Sequence, residues 1–105
     1  MKNLGGLLDR DWQYISDALA KCPEIERAVL FGSRALGNYK VGSDVDLAVI
    51  GASVGEKTLI NLHVWLNEWY PLPYVFDLLD VATISNENLR THIDTFGKEV
   101  YVRRP

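Results

Sequence analysis

The chain has 105 residues, enough for one hydrophobic core and too few for a second domain, and its 48% apolar and 24% charged content excludes disordered and fibrous classes. A net charge of −3, a pI near 5.2 and eleven scattered basic residues disfavour a broad nucleic-acid surface. No apolar run approaches the roughly 20 residues that cross a bilayer, the N-terminus has no secretory pattern, and the single Cys22 excludes an internal disulfide and any all-cysteine metal site, so a cytoplasmic, membrane-free protein is expected.

Leu8, Trp12, Ile15 and Leu19 recur at helical spacing and predict a helix from about Leu7 to Lys21, ended by Pro23. Ala28 to Phe31 is a short apolar run closed by Gly32 and reads as a buried strand. Arg34 to Leu36 fits a single helical turn, stopped by Gly37 and Asn38. From Asp44 a second strand starts polar on one face and ends apolar on both, the pattern of a strand that delivers side chains to a site. Ser53 and Glu56 have capping-box spacing before a helix with Leu59, Leu62, Leu66 and Trp69 on one face, closed by Pro71 and Pro73. Val75 to Val81 is a third strand interrupted by Asp77 and Asp80. Ser85 is placed to cap a short helix with Leu89, Ile93 and Phe96, and Glu99 to Arg103 is the last strand. With no repeat or linker, this alternation predicts one domain over residues 1–105, of α/β (α+β) class, with a mixed sheet of about four strands and helices packed against it.

The segment 32–46 carries chemistry: Gly32-Ser33, then ten residues, then Asp44 and Asp46. Two apart on a strand, the aspartates leave one face with α-carbons about 6.6 Å apart. Carboxylates so placed converge on a hard cation, and magnesium takes one or two of them, completing its shell with water and substrate phosphates. Gly32 lets a phosphate approach the backbone, Ser33 offers a hydroxyl, and the turn that follows adds a favourable dipole. Two metal ions about 3.5 to 4 Å apart need a third carboxylate. Asp77 and Asp80 compete for that place. Asp77 lies inside an apolar run, where an unpaired carboxylate is costly unless it binds a metal, and is preferred; Asp80 is read as a turn or cap group. Gly32 and Gly37 have P-loop spacing, but Asn38 and Tyr39 stand where its Lys and Ser/Thr belong, so this is no Walker A site.

Phe31-Gly32-Ser33-Arg34-Ala35 and Ser43-Asp44-Val45-Asp46-Leu47 match the signature of the minimal nucleotidyltransferases of the DNA polymerase beta superfamily, which this chain resembles over nearly its whole length, through Phe76 to Asp80 and Asn88-Leu89-Arg90. The resemblance implies a polymerase-beta palm-like fold and magnesium-dependent transfer of AMP from ATP. Asp44, Asp46 and Asp77 would be the catalytic and metal-binding carboxylates, with two magnesium ions, and Gly32 and Ser33 would hold the triphosphate. Relatives of this size pair with a helical HEPN protein as antitoxin and toxin, and modify a tyrosine of the toxin. The resemblance therefore implies a HEPN-domain partner and a homo- or hetero-oligomer. A binding-only antitoxin, or transfer to a small molecule such as an antibiotic, are the alternatives. Leu36 departs from the family pattern, which often has a basic residue there.

Arg34 suits either a surface salt bridge or a triphosphate contact and joins Gly32 and Ser33 as the expected nucleotide-binding set. Tyr39 and Lys40 are read as solvated loop residues. His63 and His92 have no ligand partner at metal spacing and are read as structural or solvated. Trp12, Trp65 and Trp69 are packing groups by spacing, with Trp65 off the main stripe and a candidate for a partner surface.

Overall fold

The computed structural model describes residues 3–104. In chain order they form α1 (Asp9–Ala20), β1 (Arg27–Phe31), α2 (Ser33–Leu36), β2 (Val45–Ile50), α3 (Glu56–Val64), β3 (Phe76–Asp80), α4 (Glu87–Phe96) and β4 (Lys98–Val102). A π-helical turn (Trp65–Trp69) continues α3, and 3-10 turns at Leu4–Gly6 and Val81–Thr83 precede α1 and follow β3. The strands make one four-stranded mixed sheet of order β3-β2-β1-β4. β1 is antiparallel to β2 and β4, and β2 is parallel to β3. The α+β class and the mixed sheet expected from the sequence are both found.

Register separates two unlike faces. On one, Leu30 lies opposite Leu47, Ala28 opposite Val49, and Val45 opposite Phe76. All six are buried, under Leu7, Trp12, Ile15 and Leu19 from the N-terminal segment and Leu62 and Leu66 from the α3 side. Each large apolar side chain buried there is worth about 1.5–3 kcal/mol, so this face holds the fold. On the other face Phe31, Asp46 and Asp77 lie side by side across β1, β2 and β3. α4 reaches only part of that face, with the His92 ring edge-on to Phe31 at 6.2 Å. The carboxylates thus stand on the thinly covered side of a sheet anchored from the other side.

Several expected details are corrected. Leu8 is exposed, because it precedes α1 in extended backbone; Leu7 fills the core in its place, and the Asp11 carboxylate accepts the Leu8 N–H at 3.0 Å. Ser53 does not cap α3. The helix starts after Gly55, whose N–H donates to Thr58 Oγ1 at 3.3 Å. Asn86, not Ser85, caps α4, accepting from the amides of Asn88 and Leu89 at 2.9 and 3.1 Å. Trp69 is 73% exposed rather than on the Leu62–Leu66 stripe. The cause is the π turn, closed by Tyr70 N–H to Trp65 C=O at 2.9 Å, whose wider pitch rotates Trp69 outward while Trp65 packs against the core. The exposed tryptophan is therefore Trp69, not Trp65.

Candidate active site

β1 ends at Phe31 and the chain turns at Gly32 into α2, which Gly37 ends at φ 91°. Gly32 has φ 74°, a conformation that side chains other than glycine rarely adopt. A Cβ built there would fall 2.1 Å from Asp46 Oδ2. The motif glycine is needed twice, for its torsion and because the carboxylate occupies the space beside its α-carbon. The Gly32 carbonyl accepts the amides of Ala35 and Leu36, each at 3.1 Å. The amides of Ser33 and Arg34, in the first turn of α2, have no carbonyl one turn behind them within the helix. They lie next to the half-buried Ser33 side chain, the arrangement in which backbone donors meet an anion.

Asp46 and Asp77 are register partners on adjacent parallel strands, which places their α-carbons about 4.8 Å apart. Asp44 stands just before β2. Asp46 is half-buried, and Asp44 and Asp77 are exposed. Burial first, then the charges of Asp77 and Asp44, push the Asp46 carboxyl up to about 6, against smaller opposing effects of His92 and Arg34. The expectation of a buried Asp77 is corrected. β3 is an edge strand and Asp77 faces the open side, so the desolvated carboxylate is Asp46. Asp80, on the opposite face, is 5% exposed and accepts the Ala82 amide at 3.0 Å, which makes it the turn cap the sequence suggested.

Among the described residues no three His, Cys, Asp or Glu side chains form a ready-made cation cage. The donors present are hard carboxylate oxygens, and Asp46 is charged against its own neighbours; both fit magnesium bound jointly by one or two carboxylates, water and a substrate phosphate. They do not fit a cage built by the protein alone.

Of the two roles weighed for Arg34, the structure contradicts the surface salt bridge. Its side chain is 5% exposed, so it makes no surface ion pair. Nε and Nη2 donate to the Ser43 carbonyl at 3.1 and 2.8 Å, and Nη1 donates to the Gly5 carbonyl at 2.7 Å. The guanidinium lies 5.1 Å from the ring centres of both Tyr39 and Tyr74, a cation–π sandwich. Tyr74 in turn donates to Asp11 at 2.8 Å, and burial with that carboxylate raises the pKa of its hydroxyl. Arg34 therefore ties the N-terminal turn to Ser43, the residue that leads into Asp44, and organises the motif loop. Tyr39, exposed in its loop as expected, is also a stacking partner of the guanidinium.

Two contributors escaped the sequence reading. His92 Nε2 accepts the Gly32 N–H at 2.9 Å across 60 residues of chain. Asn67, in the π turn, accepts the Phe76 N–H at 2.9 Å and donates to its carbonyl at 3.4 Å, pairing with the outer edge of β3 just before Asp77. Each bonds to backbone, so no partner residue type betrays it in sequence. Only a polar residue interrupting an apolar helix hints at Asn67.

Beside Asp77 runs an apolar trough of about 350 Å³, lined by Leu59, Ile60, Val64 and Leu78 with Glu56 at its rim. A larger hollow, about 630 Å³, lies between α1 and β4 and contains none of the motif residues.

A glycine turn set against paired carboxylates, on the open face of a mixed sheet, has the parts of a nucleotidyl-transfer site. Residues 13–105 match the family "Polymerase beta, Nucleotidyltransferase", and the chain belongs to it. No curated protein matches the chain. Among solved structures it is similar to a toxin–antitoxin complex crystallised with AMP-PNP, with TM-score 0.73 at 25% identity over 89% of this chain and 74% of that one. It is also similar to the MntA-HepT toxin–antitoxin complex, with TM-score 0.66 at 23% identity over 90% and 72% of the two chains, a likeness of fold. No described helix is long and apolar enough to cross a membrane.

Proposed function

We propose that this nucleotidyltransferase is the antitoxin of a toxin–antitoxin pair and moves AMP from ATP to a tyrosine hydroxyl of a helical HEPN partner. The observation that carries the reading is the half-buried Asp46, set between Asp77 and Gly32 and charged against its neighbours. Similarity to the complex crystallised with AMP-PNP supports an adenine nucleotide as donor and a toxin as companion. Gly32 and Ser33 receive the triphosphate. Asp44 and Asp46, with Asp77, are the residues that would hold magnesium, which supplies positive charge against the phosphates when bound. The acceptor oxygen attacks the α-phosphorus, forming a new P–O bond as the bond to pyrophosphate breaks. Asp77, exposed at the head of the trough, orients the hydroxyl and takes its proton. The trough receives the apolar residues that flank the acceptor. Clamping of charge supplies most of the catalysis, as in phosphoryl transfers generally.

Incubation with α-labelled ATP, magnesium and the protein encoded beside it tests the reading. Label is expected on a tyrosine of that protein and is lost with Asp46→Asn. Absence of label on any acceptor, or undiminished label with Asp46→Asn, overturns it. Neutralisation of the partner by an Asp44→Asn, Asp46→Asn variant would show that contact, not transfer, is the antitoxin activity.

A further inference from the structure

We infer that His92 is a positioning residue for the nucleotide-binding turn, an inference that rests on reading that turn as the triphosphate site. The turn is pinned at both polar groups of Gly32. Its carbonyl accepts the Ala35 and Leu36 amides of α2, and its N–H donates to His92 Nε2 at 2.9 Å. Among the described residues nothing else accepts that N–H. An imidazole that accepts through Nε2 carries its ring proton on Nδ1. Its orientation is set by two aromatic neighbours, Phe31 edge-on at 6.2 Å and Phe96 tilted at 5.6 Å. The histidine thus reaches from α4 to the torsion that keeps the Gly32 α-carbon against the Asp46 carboxylate.

Two consequences follow. With its own N–H engaged, Gly32 does not donate to phosphate; the donors left for the anion begin at Ser33. And the bond holds the peptide between Phe31 and Gly32, from which the Ser33 amide and hydroxyl take their direction. Without an acceptor at Nε2 the half-buried N–H loses its partner, and the peptide rotates toward water.

The test compares three substitutions by direct binding of ATP with magnesium and by ¹⁵N spectra of the nucleotide-free protein. His92→Phe keeps the ring contacts and removes the acceptor; ATP binding weakens roughly five- to tenfold, the scale of one partly buried hydrogen bond. His92→Gln places its amide oxygen near the position of Nε2 and restores binding to within about twofold of wild type. His92→Asn, whose oxygen falls near Nδ1, behaves like His92→Phe. In the nucleotide-free wild type, a scalar coupling across the hydrogen bond links the Gly32 amide nitrogen to His92 Nε2. Equal ATP affinity in all variants, or failure of His92→Gln to rescue, overturns the role, as does absence of that coupling. Wild-type protein that shows the coupling yet binds no ATP overturns the nucleotide reading, and the positioning role with it.

Discussion

Gly32 and Asp46 occupy each other's space: the Cβ that any other residue would carry at position 32 falls 2.1 Å from Asp46 Oδ2. The glycine and the second aspartate of the motif are therefore one structural unit, although 14 positions apart in sequence. Gly32→Ala should lose about 1–3 kcal/mol of stability, because φ 74° with ψ −157° is a region essentially confined to glycine. The carboxylate, the free end of a flexible side chain, can swing aside at little cost. The functional loss should be larger, because a displacement of about 1 Å at a reacting centre lowers rate about a hundredfold. Chemical denaturation and AMP-transfer rates measured on one preparation would separate the two effects; a variant with full transfer activity would contradict the coupling.

The Asp46 carboxyl, raised to about 6 from an ordinary 3.8 by burial and by Asp77 and Asp44, makes the apo protein's stability depend on pH in a definite direction. The native state holds this proton more tightly than the unfolded chain. That contribution is fully present below about pH 3.8 and is lost as pH rises through about 6. Above 6, folding carries an unfavourable charge. Asp46→Asn should therefore melt higher than wild type at pH 8 in the absence of metal, and the gap should close between pH 6 and 4. The same substitution should reduce transfer by about 10²-fold or more and abolish the melting shift that magnesium with ATP produces. A gap that widens toward acid would reverse the assigned sign.

What the sequence made legible was local. The α1 stripe, the four strands, the Gly-Ser turn with its two aspartates, and Asp80 as a turn cap all depend on residues a few positions apart. Asp77 was chosen correctly as the neighbour of Asp46 but expected to be buried. Its exposure depends on β3 lying at the sheet edge, a fact of strand order that periodicity does not encode. Trp69 was misplaced because a π turn changes the angular step within one continuous apolar pattern. His92 is structural, as expected, but its partner Gly32 and the partners of Arg34 are illegible in the sequence for a common reason: both side chains bond to backbone groups, and those acceptors and donors carry no residue identity.

Arg34 accordingly offers a stability prediction in place of a binding one. Arg34→Ala leaves the Gly5 and Ser43 carbonyls without their donors and removes the group between Tyr39 and Tyr74. It should destabilise by about 3 kcal/mol. Arg34→Lys keeps the charge but not the fork that spans both carbonyls, and should recover less than half of that loss. Urea titration gives the ordering directly. If the alanine variant were fully stable and only ATP binding failed, the triphosphate contact would be reinstated.

The proposed seat of the acceptor in the trough beside Asp77 lets the acceptor half of the reaction be tested apart from the nucleotide half. Ile60 is 55% exposed and Val64 36%, so each lies open on the outer side of α3 without holding the core together. Placing aspartate at both positions should change stability by less than about 1 kcal/mol. It sets two charges in an apolar channel already rimmed by Glu56 and bounded by Asp77. An apolar segment around the acceptor hydroxyl would then meet charge in place of Ile60 and Val64, and KM for the protein acceptor should rise about tenfold or more. The melting shift with magnesium and ATP should not change, because Gly32, Ser33 and Asp46 are untouched. Steady-state kinetics with acceptor varied at saturating ATP provides the measurement. An unchanged acceptor KM would place the acceptor on another side of Asp77, and a lost melting shift would mean that the trough serves the nucleotide instead.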